Sequence, residues 1–212
     1  MKYFEYVIFC DKLPNRMTLH AVTTHFFDET DINKVNYKAE IEGRVIRIKT
    51  DYDRETEFRV TLKDERSDTM FDCRQTVKKE KETEDCFEVG DLVNITGTIS
   101  YGIHITETNK RKCPIFKGRI EPGCKHKFRA AIEKSLGIEM VEKFSDSSFV
   151  RLPNEILNDK IQLNNQMNVH IVGVVKDPDI VNRICFSSFF QRKSYGFGRL
   201  DVYRPWGAEA AI

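Results

Sequence analysis

No apolar run in the 212-residue chain is long enough to cross a membrane, and none of its six cysteines falls in a C-x-x-C pair. The first absence excludes a helical membrane span, which needs about 20 mostly apolar residues, so no membrane partner is expected. The second leaves neither a zinc knuckle nor a thioredoxin-like site. Cys10, Cys73, Cys86, Cys113, Cys124 and Cys185 are expected as free, mostly buried thiols of a reducing cytoplasm. A surplus of one charge is missing too. With 34 Lys and Arg against 33 Asp and Glu the formal net charge is +1, so a nucleic-acid partner must be argued from where the basic residues fall. No carboxylate cluster suited to two metal ions is apparent, and no metal or cofactor is expected. The aromatic K/R-G-F-G-F-V-x-F signature of single-stranded-RNA modules is also absent. The opening MKYFEYVIFC is short and lacks a small-residue cleavage site, so it reads as a strand and not as a signal peptide.

What is present is a chain long enough for two compact modules. Acidic residues crowd the run from Lys78 to Glu88, whereas Lys110 to Arg129 and Arg183 to Arg204 are basic. Tyr3 to Cys10 reads as a strand, stopped by Pro14. From Arg16 to Phe27 the residues Met17, Val22 and Phe26, with Leu19 and Phe27 alongside, recur at helical spacing. Ala39 to Lys49 and Glu57 to Lys63 alternate as half-buried strands do. The period of Asp64 to Asp85 is unclear. Leu92 to Ile105 reads as strand, Lys125 to Leu136 as an amphipathic helix stopped by Gly137, Asn168 to Val175 as strand, Asp177 to Asn182 as a turn or helix, and Gly198 to Tyr203 as the last strand. The order predicts an α+β protein of two tandem ferredoxin-like (βαββαβ) domains, divided near Val89 to Asp91 into residues 1–90 and 91–212.

Three features could carry chemistry. His20 lies one turn into the first helix, where its apolar neighbours face the core and His20, Thr23 and Thr24 are expected at the rim. A rim imidazole exchanges a proton near neutral pH. RNA cleavage needs little more than a 2′-hydroxyl in line with the next phosphate, an acid or base at either oxygen, and cations for the growing charge. By itself a helical histidine is more often structural. His25 is the second candidate of the same kind, and Arg16 and Tyr37 are further candidate partners for His20, Arg16 being assigned to RNA binding. The second feature is the basic, glycine-containing stretch from Phe189 to Leu200. Its glycines Gly196 and Gly198 allow close backbone approach, Arg192, Lys193 and Ser194 can meet phosphates, and Tyr195 or Phe197 can stack on a base. The third is the cluster Lys110, Arg111 and Lys112 just after a strand, suited to a hairpin or loop lying along a duplex backbone, though a bare charge run is more often a solvated surface.

Together these features resemble one family. Leu19-His20 on a helix with a second histidine five residues later, a K-R-x-x-P segment, the A-x-x-x-x-L-G helix end from Ala131 to Gly137, and the terminal K-S-x-G-x-G-x-L from Lys193 to Leu200 stand in the order seen in the CRISPR repeat endoribonuclease of subtype-E Cascade complexes. That enzyme belongs to the repeat-associated mysterious protein superfamily, and the resemblance covers most of the chain. It implies two ferredoxin-like domains that bind the hairpin of a CRISPR RNA repeat and cut at its base without metal, with His20 as general acid or base. It also implies that the product stays bound within a Cascade-like complex of other subunits. Two departures stand out. Met17 occupies the place where family members often carry a tyrosine, and Ser188, Phe189 and Phe190 stand where a G-x-G is usual.

Since the contacts assigned to Lys110, Arg111, Lys112, Arg192 and Lys193 are mainly to phosphates, hairpin binding is expected to weaken steeply with salt. Reversing Arg111 and Lys112 to glutamate weakens binding and flattens the salt slope, measured by titrating labelled repeat hairpin at several salt concentrations; unchanged affinity removes this cluster from the site.

Overall fold

The computed structural model describes residues 1–27, 32, 35–63, 70–83, 87–101, 103–105, 110–112, 114–116, 119–141, 149–156, 162–163, 165–190 and 196–205. The chain divides into two compact units. The first comprises Met1–Glu84 with Phe186–Ser188 and Arg192–Phe197, and the second Asp85–Cys185, Phe189–Gln191 and Gly198–Ile212. Among the described residues no helix is long and apolar enough to cross a membrane.

The first unit runs β1 (Lys2–Cys10), α1 (Arg16–Phe26), β2 (Tyr37–Glu42), β3 (Val45–Thr50), β4 (Arg59–Lys63) and β5 (Met70–Glu82). Its strands form one antiparallel sheet in the order β2-β3-β1-β5-β4. Tyr6, Ile8, Ile46, Ile48 and Ala39 alternate along three strands and are fully buried, which is the period-2 pattern of a sheet with one face in the core. The helix answers with Leu19, Val22 and Phe26. Asn15 caps α1, its side-chain oxygen accepting from the Thr18 amide at 2.9 Å. At the other end the Arg54 guanidinium donates to the Phe26 carbonyl. Thr23, expected at the rim, is fully buried, because its hydroxyl donates back to the Leu19 and His20 carbonyls at 2.9 Å and so needs no water.

The segment of unclear period yields β5, a thirteen-residue strand paired with β1 along most of its length and shifted in register between Val7 and Ile8. In the ferredoxin-like order β4 stands where a second helix would follow β3. Cys10 and Cys73 meet in the core across β1 and β5 without a disulfide, and Cys124 and Cys185 are half-buried.

The second unit contains β6 (Leu92–Ser100), β7 (Ile103–Ile105), β8 (Lys110–Lys112), β9 (Ile115–Phe116), β10 (Arg119–Ile120), α2 (Lys125–Leu136), β11 (Ile138–Met140), β12 (Phe149–Arg151), β13 (Glu155–Ile156), β14 (Gln162–Leu163), β15 (Gln166–Val175), α3 (Pro178–Asn182) and β16 (Arg199–Tyr203). Its main sheet has the order β11-β15-β6-β16, with β12 also on β15. Set aside the small hairpins, and β6-α2-β11-β15-α3-β16 is the βαββαβ ferredoxin-like order with its characteristic split crossover. Phe128, Ile132 and Leu136 of α2 are buried in the same core as Ile95, Ile99, Val169 and Ile171 of the sheet. Gly137 closes α2 as its spacing predicts. The chain is thus a tandem ferredoxin-like α+β protein.

On the sheet face of the first unit turned away from α1, Glu5 is buried and held by Arg47 at 2.6 Å and Lys81 at 2.5 Å. Burial alone pushes its carboxyl up, but the hydrogen bonds from Lys81 and Arg47 prevail and hold it below the usual carboxylate range. A group whose folded-state pKa is depressed contributes stability that is fully present above its unfolded value, about 4.3, and is lost as pH falls through the folded one. Glu5→Gln should therefore cost about 1–3 kcal/mol at neutral pH and flatten the loss of stability below about pH 4.3. Denaturant melts of both proteins across this pH range check it, and parallel pH profiles would refute it.

Candidate functional site

Helix α1 sorts its residues by angle. At about 100° per residue, Arg16, His20 and Thr24 fall on one flank, beside the buried stripe of Leu19, Val22, Thr23 and Phe26. Arg16 and His20 are half-buried and Thr24 is exposed. Thr23 and Thr24 both donate to the His20 carbonyl, at 2.9 and 2.8 Å, which fastens the backbone under the imidazole. His25 is exposed and stands about 140° round the helix from His20, so the two imidazoles do not share a flank. Tyr37 is a core residue, its ring against Phe27 at 4.9 Å.

The terminal stretch comes to this same flank. Phe186 stacks on Tyr3 with ring centroids 5.4 Å apart, and the Ser188 amide donates to the Tyr37 carbonyl at 2.6 Å. Further on, Gly196 has φ +82, and a Cβ placed there would stand 3.1 Å from Leu19 Cδ2 and 3.5 Å from Arg16 Nη1. Phe197 lies beneath Arg16, with the guanidinium carbon 4.4 Å from its ring centroid. The expectation that Phe197 stacks on a base is overturned. Its ring is fully buried, and its partner is a side chain of the same unit.

Gly198 has a different task. It belongs to the second unit, where its amide donates to the Thr98 carbonyl at 2.8 Å and its carbonyl accepts from Phe189 at 3.0 Å. Its φ is +76, and a Cβ would fall 1.8 Å from the Phe189 carbonyl oxygen. The close approach that requires glycine is therefore internal. Nearby, Phe190 takes φ +67, in the left-handed region that favours glycine, while its ring meets Tyr101 edge-on at 5.9 Å. The stretch from Ser188 to Phe190 thus holds a glycine-like backbone turn with a packed aromatic.

Lys110, Arg111 and Lys112 form β8, paired with Ile105, His104 and Ile103 of β7, so their backbone is a two-stranded hairpin. Arg192, Lys193, Ser194 and Tyr195 lie outside the described residues. Among the described residues no group of three or more His, Cys, Asp or Glu side chains is placed to hold a metal ion. Besides Thr23, sequence reasoning misread Phe197. The signal available for it was Arg16 itself, a cation one turn ahead of a rim histidine, but no local pattern says which ring it will meet.

No family model and no curated protein sequence matches the chain. Solved structures do. CRISPR endoribonuclease Cse3 bound to a 19-nucleotide RNA matches at 15% identity and TM-score 0.55, over 96% of this chain and 100% of that one. The chain has the Cse3 fold. Cse3 of Thermus thermophilus, bound to an RNA representing a pre-cleavage complex, matches at 13% identity and TM-score 0.56 over 96% and 100%. The CRISPR-associated protein Cas6e of Escherichia coli K-12 matches at 13% identity and TM-score 0.50 over 95% and 100%. At such identities the shared property is the tandem ferredoxin-like fold across the full length.

The two terminal-loop glycines should separate in a stability experiment. Gly198→Ala meets peptide backbone and should cost at least about 1–3 kcal/mol, lowering the melting temperature by roughly 2–12 °C. Gly196→Ala meets mainly the movable end of Leu19 and should cost less. Thermal melts compare them, and equal costs would contradict the assignment.

Proposed function

We propose that the chain binds the repeat hairpin of precursor CRISPR RNA, cuts it at the stem base by attack of a 2′-hydroxyl, and stays on the product as the hairpin-capping subunit of a Cascade-like complex. The observation that carries this reading is the convergence of the terminal glycine segment with Arg16 on the His20 flank of α1, in a chain with the fold of RNA-bound Cse3. The basic β7–β8 hairpin supports the RNA contact.

The chemistry asks little of the protein. The 2′-oxygen forms a bond to phosphorus, the bond from phosphorus to the 5′-oxygen breaks, and a cyclic phosphate and a 5′-hydroxyl result. One proton leaves the 2′-hydroxyl and one reaches the departing 5′-oxygen. An imidazole at the position of His20 serves either transfer, and an arginine one turn away offers charge to the phosphorane. The reaction supplies its own nucleophile and leaving group from the RNA, so no metal is assigned. His25, on another flank, is not assigned a proton transfer at the same phosphate.

A second reading keeps the fold and the RNA but not the turnover. It is favoured by Met17, half-buried where family members often hold a tyrosine, which removes one hydroxyl that could orient the phosphate. The chain would then be a slow or inert RNA-holding subunit.

Single-turnover cleavage of labelled repeat hairpin, with protein in excess and chelator present, separates these. His20→Ala is expected to slow cleavage by roughly 100- to 10,000-fold with little change in binding, and His25→Ala to leave the rate unaltered. A hairpin with 2′-deoxyribose before the cut should bind and stay intact. Equal cleavage by wild type and His20→Ala would leave the chain as a binder.

A further inference from the structure

We infer that Phe197 is a positioning residue that, with Gly196, seats the Arg16 guanidinium on the His20 flank of α1 as a contact for an RNA phosphate. The inference rests on the reading of that flank as the RNA site. Two independent geometric facts carry it. Phe197 is fully buried with Arg16 Cζ 4.4 Å from its ring centroid, so its face is given to the cation and not to solvent. One residue earlier, the left-handed Gly196 brings bare backbone against Leu19 and Arg16, where a Cβ would crowd Leu19 Cδ2 at 3.1 Å and lie 3.5 Å from Arg16 Nη1. The dipeptide thus sets a ring against Arg16 and a bare backbone against Leu19, with Arg16 Nη1 at contact distance beside it.

The physical consequence is pre-organisation. An arginine loses much rotamer freedom when it grips a phosphate, and a guanidinium already held over an aromatic ring has less to lose. A guanidinium meets phosphate oxygens in pairs through its in-plane N–H groups. Arg16 and His20 are one turn apart, with Cβ atoms about 5–6 Å from each other. That separation suits a cation on the phosphate and an imidazole at one of its ester oxygens. Phe197 acts through Arg16 and touches no reacting atom.

The test uses the full chain and a 5′-labelled hairpin RNA copied from the CRISPR repeat of the source genome. Affinity is measured against salt, cleavage at single turnover, and folding by thermal melt, for Phe197→Leu, Arg16→Ala and the double variant. Phe197→Leu fills most of the volume but removes the ring face. It should weaken hairpin binding by about 2- to 30-fold, the range of a cation–π contact, at normal salt slope. Arg16→Ala should lower the salt slope by about one released counterion. In the Arg16→Ala background Phe197→Leu should cost nothing further, because its effect runs through the arginine. A packing role alone predicts the opposite, an equal loss with or without Arg16, and that result overturns the inference, as does an unchanged salt slope in Arg16→Ala. Should Phe197→Leu fail to fold, Arg16→Lys decides. Charge without the planar fork should keep the slope and lose affinity, and wild-type affinity refutes the seat. Failure of the underlying reading shows elsewhere, as equal cleavage by wild type and His20→Ala; the binding arms still judge the Arg16 seat on their own.

Discussion

Phe26 sits where the helix of the first unit meets its sheet, with Tyr6 at 4.8 Å, Phe27 at 5.0 Å and Phe58 at 5.4 Å around its ring. The Arg54 guanidinium lies 5.5 Å from the same ring and donates to the Phe26 carbonyl. Burial of this one aromatic therefore sets the height, rotation and C-terminal end of α1 together. Such a ring removes a large apolar area from water and tolerates few orientations among other rings. Asn15 then needs only to close the first turn. The angular position of every residue on α1 follows, including the flank that carries Arg16 and His20.

The terminal stretch shows how adjacent glycines can answer to different neighbours. Gly196 packs against α1 of the first unit and Gly198 against the Phe189 backbone of the second, although one residue lies between them. Both take a left-handed φ, so local conformation alone does not distinguish them. What differs is the nature of the neighbour: a flexible leucine tip and an arginine for one, a peptide carbonyl for the other. Only the first glycine lies against the helix that carries His20. The second keeps the strand entering β16 tight on β6.

Local pattern was informative wherever a single face is buried. The 3.6-residue stripe of α1 and the alternation of β3 and β15 have one wetter side and one dry side, which is what periodicity reports. Strand β5 escapes such reading. Its run of Lys and Glu from Lys78 to Glu82 is exposed and has no apolar period. It is a strand because β1 offers it backbone partners, with Lys2 meeting Glu80 at 2.8 Å and Lys81 meeting Glu5 at 2.5 Å. Thr23 was misplaced for a related reason, since a hydroxyl satisfied by its own helix is as buriable as a methyl.

The amino-acid sequence by itself determined the α+β character of the chain and the helix that carries His20, and it offered the glycine-bearing basic stretch that the proposed function uses. These follow from periodicity, stop signals and charge, each readable within a few neighbouring residues. Tertiary structure alone decided that Phe197 turns inward under Arg16, that Gly198 serves the Phe189 backbone, and that the terminal stretch meets the His20 flank. Those outcomes depend on contacts between residues some 180 positions apart in the chain, such as Arg16 and Phe197, and no local spacing encodes which ring a cation will find across that separation.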